Sequence, residues 1–262
     1  MKKIISFFFI SILVIGLLAA CGTSEEASSN GSKDKDSDKK VLTMGTSADY
    51  APFEYIDTAK GDEIIGIDVD IAKAVTEKLG YEFKIQDMDF GGLIQALQSG
   101  QVDFVLSAMS ATEDRKKSVD FSEIYYTSKH MIVSKKDSGI TKVEDLKGKK
   151  IGAQLGSIQE EKAKELAEEV EMTVENRNRI PELIQEIKAG RFDAAIIEDT
   201  VAQGYLENND DIEGFTVEDA DGGYAIALPK DSELTEEFNK ALKEMIENGE
   251  LDKILKKWFE GE

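Results

Sequence analysis

The residues with the clearest chemical signal lie together in the segment from Ser107 to Arg115. Ser110 supplies a hydroxyl group, and Thr112 has the residue type and the position to cap a new helix. Arg115 then falls in the first turn of that helix, where the helix dipole disfavours a cation. A bound anion would explain it, because a guanidinium pairs with a carboxylate through two parallel hydrogen bonds. A surface arginine paired with one of the two acidic residues before it fits the pattern equally well.

The elements that would position this segment are marked by a repeat with a spacing of 90 residues. Each copy has a Leu-Ile-Gln triplet followed by a glycine and an aspartate: Leu93-Ile94-Gln95, Gly100 and Asp103 in the first, and Leu183-Ile184-Gln185, Gly190 and Asp193 in the second. The pattern predicts a helix that ends at the glycine, a tight turn, and a buried strand over 102–107 and over 192–197. Such a unit also recurs in α/β proteins without functional meaning, so the repeat alone does not establish two lobes.

Polar residues follow both predicted strands. Ser107 and Ser110 follow the first strand, and Glu198 follows the second. Ligands bind beyond the carboxyl ends of strands in open α/β sheets, so these residues are candidates to face one cleft shared by two lobes. The chain would cross between the lobes near 128–130 and near 222–224, and two crossings make a hinge that can close the cleft.

Two further helices are predicted from their first residues. Asp68 is expected to cap a helix that ends at Gly80. Ser157 and Glu160 form a Ser-x-x-Glu capping box at the start of another helix, just after a predicted strand over 150–153. A capping box is mainly a stability device, but the free amides at this helix start would favour a carboxylate nearby.

The N-terminal residues have the features of an export signal. Lys2-Lys3 precedes an apolar segment from Ile4 to Leu18, which is short for a bilayer-spanning helix of about 20 residues. The Leu-Ala-Ala-Cys sequence that ends at Cys21 resembles the lipobox of bacterial lipoproteins, which implies a diacylated cysteine at the mature N-terminus. An uncleaved anchor or an ordinary secretory signal is the alternative. Cys21 is the only cysteine, so no intrachain disulfide is possible, and 22–40 reads as a flexible polar tether.

The composition argues against several classes of function. A net charge of −21 argues against nucleic acid as a partner, because phosphate binding needs a basic face. The same charge would attract cationic solutes or simply favour solubility, and both interpretations stay open. The single histidine, His130, has no cysteine or second histidine in ligand spacing, so a surface or hinge residue is expected rather than a metal ligand. No phosphate-binding loop or nucleophile elbow is present, and neither a metal nor a cofactor is predicted.

Several segments of the chain together resemble the family 3 extracytoplasmic solute-binding proteins, the amino-acid receptors of ABC importers, over essentially the whole mature domain. The matching segments are Gly45-Thr46, Tyr50-Ala51-Pro52-Phe53-Glu54, Ile65-Gly66-Ile67-Asp68-Val69-Asp70, Ser110-x-Thr112-x-x-Arg115, Val119-Asp120-Phe121-Ser122, Asp145-Leu146-Lys147-Gly148, Gly156-Ser157 and Lys256-Lys257-Trp258-Phe259.

The resemblance implies an α/β, two-lobed periplasmic-binding-protein-like fold of type II, with a hinge of two crossover strands and the ligand in the interlobe cleft. Lobe 1 would comprise 41–128 and 225–262, and lobe 2 would comprise 129–224. A lipoprotein signal peptide at 1–20 would precede the lipidated cysteine and the tether at 21–40. The protein would be a monomer, anchored by lipid on the extracytoplasmic face of the cell membrane, that delivers an amino acid to an ABC permease.

The resemblance also implies how the amino acid would be held. Arg115 would bind the α-carboxylate, assisted by the backbone amides of Thr112 and Ile158. Tyr50 and Phe90 would sandwich the side chain of the ligand. Burying a zwitterion is costly unless each charge is paired, so a matching site for the ammonium group is required.

The ammonium group would be held by Ser110, by the Ala108 carbonyl and by Glu198. Glu198 stands where the family more usually has an aspartate. The ammonium would therefore sit differently, or the neighbouring Asp199 would contribute.

Arginine is the favoured ligand, other basic amino acids come second, and glutamine or cystine third. A flat guanidinium suits the two aromatic rings, although Ser47 replaces an aspartate that receptors for basic amino acids often use. Donors of the guanidinium could meet Ser47, Asp49, Glu54 and Gln159. The predicted ligand-binding residues are Ser47, Asp49, Tyr50, Glu54, Phe90, Ser107, Ala108, Ser110, Thr112, Arg115, Gln154, Ser157, Ile158, Gln159 and Glu198.

Two functions of other classes stay open at this point. Related folds include a dehydratase that acts on carboxylated rings, in which case Glu198 would be a general acid beside Arg115. A sensor would use the same clamp to report a ligand to a separate partner. The favoured function is reversible capture without catalysis.

Overall fold

The computed structural model describes residues 40–220 and 223–260, which belong to one compact unit of the chain. The strands are β1 (Val41–Thr46), β2 (Asp49–Tyr50), β3 (Glu54–Asp57), β4 (Glu63–Ile65), β5 (Glu82–Asp87), β6 (Phe104–Val105), β7 (Val119–Tyr126), β8 (Lys129–Lys135), β9 (Lys150–Gln154), β10 (Thr173–Arg177), β11 (Ala194–Glu198), β12 (Ile212–Ala220) and β13 (Tyr224–Pro229). The helices are α1 (Ile67–Leu79), α2 (Leu93–Gln98), α3 (Glu113–Lys116), α4 (Ile158–Val170), α5 (Ile180–Lys188), α6 (Asp199–Glu207), α7 (Glu233–Glu247) and α8 (Glu250–Phe259).

The first sheet has the strand order β5-β1-β6-β13-β7. β1 runs parallel to β5 and β6, whereas β13 is antiparallel to β6 and β7. α7 places Phe238, Leu242 and Met245 on one buried face, at the spacing that an amphipathic helix requires. The ring of Phe238 lies 5.0 Å from that of Phe104 in β6. Burial of a side chain of this size contributes about 1.5 to 3 kcal/mol, so this contact fixes α7 against the sheet.

The second sheet has the strand order β10-β9-β11-β8-β12. β9 is parallel to β10 and β11, and β8 is antiparallel to β11 and β12. Gly152 in β9 is required by close packing, because a Cβ atom there would come within 2.4 Å of Phe192 and 2.8 Å of Leu183. α5 covers this position with Leu183, Ile184 and Ile187, all of which are buried.

Both copies of the repeat form the predicted helix, glycine turn and strand. Gly100 follows α2 with φ 72°, and Gly190 follows α5 with φ 71°, a left-handed conformation that glycine adopts without strain. The strands differ from their predicted bounds: β6 covers only 104–105, and β11 covers 194–198, so it begins two residues later and ends one residue later than predicted. β6 is short because the chain turns out of the sheet soon after it.

The aspartate of each copy ties its strand to the parallel neighbour. Asp103 Oδ2 accepts a hydrogen bond from the Thr43 N–H at 2.7 Å, and its own N–H donates to the Thr43 carbonyl at 2.8 Å. Asp193 makes the same pair of bonds with Lys150, at 2.8 and 2.9 Å. The repeat is therefore a repeat of hydrogen bonds as well as of residue types.

The chain passes between the two sheets at the two predicted places. β7 ends at Tyr126 in the first sheet and β8 begins at Lys129 in the second, and the return leads from β12 to β13. This confirms the two-lobed α/β fold with two crossings, while the lobe boundaries at 128/129 and 224/225 stay a prediction. His130 is buried at the start of β8, so it belongs to the hinge region and not to the surface.

Within residues 40–220 and 223–260, no helix is both long and apolar enough to cross a bilayer. Nor do three His, Cys, Asp or Glu side chains in this part of the chain cluster as they would around a metal ion. The predicted signal peptide, Cys21 and the tether up to residue 39 lie outside the described residues.

Candidate functional site

A cavity lies between the carboxyl ends of β1 and β6 on one side and the start of α4 on the other. Its lining residues are Ser47, Tyr50, Glu54, Phe90, Ser107, Ala108, Ser110, Arg115, Gln154, Ser157, Ile158, Gln159 and Tyr224. All of them except Tyr224 are among the residues predicted from the sequence. The empty space between them is about 310 Å³, and the centre of a water molecule reaches only about 10 Å³ of it. The cleft is therefore nearly closed, and an amino acid would enter only after its walls separate.

Hydrogen bonds fix the strand ends of the first sheet. Ser107 Oγ accepts from the Ser47 N–H at 3.0 Å and donates to Glu54 Oε1 at 2.8 Å. Ala108 has φ 43°, a left-handed conformation that is uncommon outside glycine. Its N–H donates to Asp68 Oδ2 at 2.7 Å, which holds the strained turn in place. This turn directs the following residues toward the cavity instead of along the sheet.

Arg115 spans the two walls of the cleft. Its side chain donates from Nη1 to the Ser110 carbonyl and from Nη2 to the Gly156 carbonyl, both at 2.9 Å. The guanidinium carbon lies 5.4 Å from the centre of the Phe90 ring, within reach of a cation–π contact. Thr112 caps α3 as predicted, because its Oγ1 accepts from the Arg115 N–H at 3.2 Å.

The interpretation of Arg115 as a surface arginine is wrong. Arg115 is only 8% exposed. The two acidic residues before it pair with lysines instead, Glu113 with Lys116 and Asp114 with Lys117. The two acidic residues therefore pair with the two lysines at the surface, and the side chain of Arg115 lines the cavity.

The start of α4 forms the facing wall. Ser157 caps the helix by accepting from the Glu160 N–H at 3.1 Å, as predicted. The return bond of the capping box differs: Glu160 Oε2 accepts from the Gly156 N–H at 2.6 Å, one residue before the cap. The amides of Ile158 and Gln159 lie in the first turn, where no helical carbonyl is available to them. They are the donors that this wall can offer to an anion.

Tyr224 is a cavity residue that the sequence analysis missed. Its side chain is 1% exposed, and its hydroxyl accepts from Ser128 Oγ at 3.1 Å. Its backbone forms an isolated bridge with Ser110. Tyr224 begins β13, at the second crossing between the sheets, so its place at the back of the cleft follows from the hinge and not from a local motif.

Three predicted residues, Asp49, Thr112 and Glu198, do not line the cavity. Thr112 is the cap of α3, and Asp49 Oδ2 accepts from the Ile180 N–H at 2.6 Å, at the start of α5. Their role toward a ligand stays a prediction.

Glu198 is fully buried and caps α6, with Oε2 accepting from the Val201 N–H at 2.7 Å. Oε1 has no hydrogen-bond partner among the described residues. Burial raises the pKa of this carboxyl to about 8, although the Val201 bond opposes the shift. The group would therefore be mostly uncharged at neutral pH unless a cation approached it.

Asp68 does not cap α1, contrary to the prediction. The helix begins at Ile67 after Gly66, which leaves Asp68 in the first turn and completely buried. Besides the Ala108 N–H, it accepts from the Tyr125 hydroxyl at 2.8 Å to Oδ1 and 2.9 Å to Oδ2. The sequence placed this residue in a family segment but gave it no role at the site.

Polar groups bridge the mouth of the cleft. Arg179 lies just before α5 and pairs with Asp87 at 2.9 Å and with Asp89 at 3.0 Å. Asp87 is the last residue of β5, the edge strand of the first sheet, and Asp89 lies two residues beyond it. Asn178 donates to Asp89 as well, at 2.8 Å. We call Arg179, Asp87 and Asp89 the mouth bridge. None of its members was predicted as functional.

Two glycines meet inside the mouth. A Cβ atom on Gly156 would come within 2.9 Å of the Gly91 Cα atom, and one on Gly91 would come within 3.1 Å of the Leu155 carbonyl oxygen. Gly156 also has φ 77°. The backbones of the two walls are therefore in direct contact.

Comparison with known proteins agrees with this arrangement. A model of the bacterial extracellular solute-binding proteins, family 3, matches residues 42–261. The chain is 61% identical over 248 residues to the arginine-binding extracellular protein ArtP of Bacillus subtilis, which covers 94% of this chain and 93% of that protein.

Two solved structures are similar in fold and sequence. The amino-acid ABC transporter substrate-binding protein AbpA from Streptococcus pneumoniae, bound to L-arginine, matches with a TM-score of 0.78 and 38% identity, over 84% of this chain and 94% of that one. An ancestral arginine-binding protein bound to glutamine matches with a TM-score of 0.78 and 41% identity, over 84% of this chain and 98% of that one.

Proposed function

Because this chain belongs to the bacterial extracellular solute-binding proteins of family 3, we propose that it captures arginine outside the cytoplasm and delivers it to an ABC importer. The observation that carries the proposal is a buried arginine, Arg115, in a nearly closed cavity that also contains a carboxyl group and three aromatic rings. A zwitterion with a flat cationic side chain needs these groups. Its relatives are binding proteins, and the protein acts by reversible capture, not by catalysis.

Arg115 is proposed to bind the α-carboxylate. In the closed cleft its guanidinium donates to two carbonyl oxygens, one on each wall. A ligand carboxylate would take over donors of the guanidinium and accept from the first-turn amides of Ile158 and Gln159. Both lobes would then hold the same anion, so the ligand itself would stabilise the closed state.

The α-ammonium group is proposed to bind to Ser110, to the Ala108 carbonyl and to Glu198. In the part of the chain that the structure describes, Ser110 Oγ and Glu198 Oε1 are buried without a hydrogen-bond partner. Buried polar atoms of this kind cost free energy until a partner arrives. A ligand ammonium would supply donors to both and would favour the ionised form of Glu198.

The side chain of the ligand is proposed to lie between Tyr50 and Phe90, with its guanidinium near Glu54. Among the described residues that line the cavity, Glu54 is the only acidic one. Ser47 and Gln159 supply further acceptors beside it. We assign Asp49 to the contact with α5, since its Oδ2 is taken by the Ile180 N–H.

Glutamine is a further candidate ligand, ranked after the basic amino acids. Burial and the nearby Asp68 raise the pKa of Glu54 well above its usual range, which favours the uncharged carboxyl in the empty site. A protonated carboxyl can bond to a neutral amide as well as to a cation. The relative occupancy by glutamine and arginine therefore depends on whether Glu54 gives up its proton.

The protein works on the extracytoplasmic side, as its family does. We propose that Cys21 carries the lipid anchor, that 21–40 is the tether, and that 41–128 with 225–262 and 129–224 form the two lobes of a monomer. Globomycin treatment of expressing cells should leave an unprocessed precursor if Cys21 is acylated. Normal processing in the presence of the inhibitor would contradict the anchor.

The ligand assignment is tested by calorimetric titration of the mature protein carrying Cys21→Ser with arginine, lysine, ornithine, glutamine and cystine. Arginine is expected to bind most tightly. At a hundred times its dissociation constant it should add about 2.7 kcal/mol to the free energy of unfolding. Tighter binding of glutamine or cystine would keep the roles of Arg115 and Glu198 and refute the assignment of Glu54 to a guanidinium.

A further inference from the structure

Two carboxyl groups, those of Glu54 and Asp68, lie buried together beside the cavity. Glu54 is 1% exposed and Asp68 is 0% exposed. Two consecutive residues hold them side by side: Ser107 Oγ donates to Glu54 Oε1 at 2.8 Å, and the Ala108 N–H donates to Asp68 Oδ2 at 2.7 Å. Each carboxyl accordingly affects the pKa of the other. Two ionised carboxylates at such a distance repel strongly away from water, so the pair is stable only if it holds a proton.

The hydrogen bonds indicate which carboxyl holds the proton. Asp68 accepts from the Ala108 N–H and from the Tyr125 hydroxyl, which stabilise its negative charge. Glu54 accepts from Ser107 at Oε1, while among residues 40–220 and 223–260 no donor reaches Oε2. A proton on Oε2 would satisfy this atom by donating to Asp68. These bonds favour the proton on Glu54 and the charge on Asp68, although burial also raises the pKa of Asp68, to about 7.

The other titratable groups around the pair reinforce this distribution. Asp49 adds negative charge on the side of β2 and opposes ionisation of Glu54. Tyr125 in β7 is fully buried, and its pKa lies well above its usual range, so it stays a neutral donor. The cation of the cavity, Arg115, donates to the carbonyl oxygens of Ser110 and Gly156.

We propose that the Glu54–Asp68 pair selects for a cationic ligand side chain by exchanging its shared proton for that cation. In this step the O–H bond of Glu54 breaks, the proton leaves to the solvent, and the guanidinium of the ligand donates to the carboxylate that remains. Asp68 is a positioning residue, because it acts through Glu54 and does not line the cavity. The inference rests on the proposed function and goes beyond it in predicting a proton count.

A neutral side chain would leave the proton on Glu54. The α-ammonium group is common to all amino acids, so any proton that Glu198 releases on binding is common to all of them too. Citrulline differs from arginine in having an uncharged ureido group of the same shape. The difference between the two ligands therefore isolates the proton of the pair.

The test is isothermal titration calorimetry of arginine and citrulline at pH 7 in phosphate and in Tris, which differ in ionisation enthalpy. The dependence of the observed enthalpy on the buffer gives the number of protons released. Arginine is expected to release about one proton more than citrulline, so its affinity should rise about tenfold more per pH unit. Glu54→Gln should abolish the excess proton, because no carboxyl is left to release it. Asp68→Asn should reduce the excess, because burial still favours the proton on Glu54 but the repulsion by Asp68 is gone. Asp120→Asn, at a surface acid that pairs with Lys230, is the matched control and should keep the excess.

Each outcome decides a different point. Equal proton counts for arginine and citrulline would overturn the exchange and leave arginine binding in place. An unchanged excess in Glu54→Gln would show that the proton comes from elsewhere, and would also overturn it. Failure of the wild-type protein to bind arginine would refute the proposed function instead. If citrulline binds too weakly for calorimetry, or if Asp68→Asn does not fold, the proton counts of wild type and Glu54→Gln with arginine decide the question.

Discussion

At the end of β6 the chain turns into the cavity at Ser107 and Ala108, whereas at the end of β11 it enters α6 directly, with Glu198 as the cap. Up to this point the two copies of the repeat have the same glycine turn and the same aspartate bonds to the neighbouring strand. The repeated part is thus scaffold, and the divergent part after each strand carries the chemistry. In one lobe it presents hydroxyls and Arg115, and in the other it buries a single carboxyl.

Loss of the cation in lobe 1 should have the largest effect. Arg115→Ala is expected to weaken arginine binding by about 3 to 5 kcal/mol, because the ligand carboxylate would be buried without its partner. Calorimetric titration measures this change. Lys117→Ala, which removes an exposed cation at the end of α3, should alter the affinity by less than about 0.5 kcal/mol. Near-native affinity of the Arg115 variant would mean that lobe 1 does not bind the carboxylate.

The buried carboxyl of lobe 2, that of Glu198, should make the free energy of unfolding depend on pH. The pKa of Glu198 is raised to about 8 in the folded protein, so its contribution to stability is present below the unfolded value near 4.5 and is lost as the pH rises toward 8. Glu198→Gln keeps an acceptor for the Val201 N–H but cannot ionise. Relative to wild type without ligand, it should gain about 1.4 kcal/mol per pH unit, or about 3 kcal/mol between pH 5 and pH 7.

Urea unfolding at pH 5, 6 and 7 measures this difference, with Glu207→Gln at the exposed end of α6 as the control. A difference between Glu198→Gln and wild type that is independent of pH would mean that Glu198 is already ionised in the folded protein. The contrast between the charged Arg115 after β6 and an uncharged Glu198 after β11 would then fail.

The shared scaffold should tolerate the same change differently in the two lobes. Asp103→Ala is expected to cost about 1 to 1.5 kcal/mol of unfolding free energy, because the Thr43 N–H loses its partner in a half-buried place. Asp193→Ala should cost about 0.5 kcal/mol, since water can replace its exposed carboxylate. Chemical denaturation compares the two, and a larger loss in lobe 2 would contradict the role of burial.

The mouth bridge should have the smallest effect. Arg179→Ala removes the two ion pairs of the mouth bridge, whose members are between 24% and 51% exposed, and a longer ion pair of 3.7 Å with Asp49. Ion pairs of this exposure contribute about 0.5 to 1 kcal/mol and weaken with salt. Arginine affinity should therefore fall severalfold at low salt and less at high salt. Arg191→Ala is the control, because this arginine pairs with Glu186 within lobe 2. It should leave the affinity for arginine unchanged at both salt concentrations.

The sequence correctly predicted the features that depend on interactions between residues close together in the chain. Thr112 caps α3 and Ser157 caps α4 because each side chain bonds to an amide three residues away. Gly100 and Gly190 end their helices for an equally local reason. The family motifs then brought most of the cavity lining together in the prediction.

The residues that were missed or misplaced depend on contacts between distant parts of the chain. Tyr224 reaches the cavity only because β13 returns beside Ser110. Asp68 has the residue type of a cap, but the turn at Ala108, 40 residues away, captures its carboxylate. Arg179 lies 90 residues from Asp89 in the sequence, and no local pattern predicts that they pair. Sequence periodicity carries no information about such partners until the topology is known.

The contact between Gly91 and Gly156 has a consequence for the time that a ligand stays bound. Because no side chain separates the two backbones, the walls can close until the Gly156 carbonyl meets Arg115, and the ligand can leave only when that contact parts. A methyl group at Gly91 would keep the two walls farther apart. The close approach of the two glycines should therefore lengthen the time that the ligand stays bound, and with it the interval available for meeting a permease.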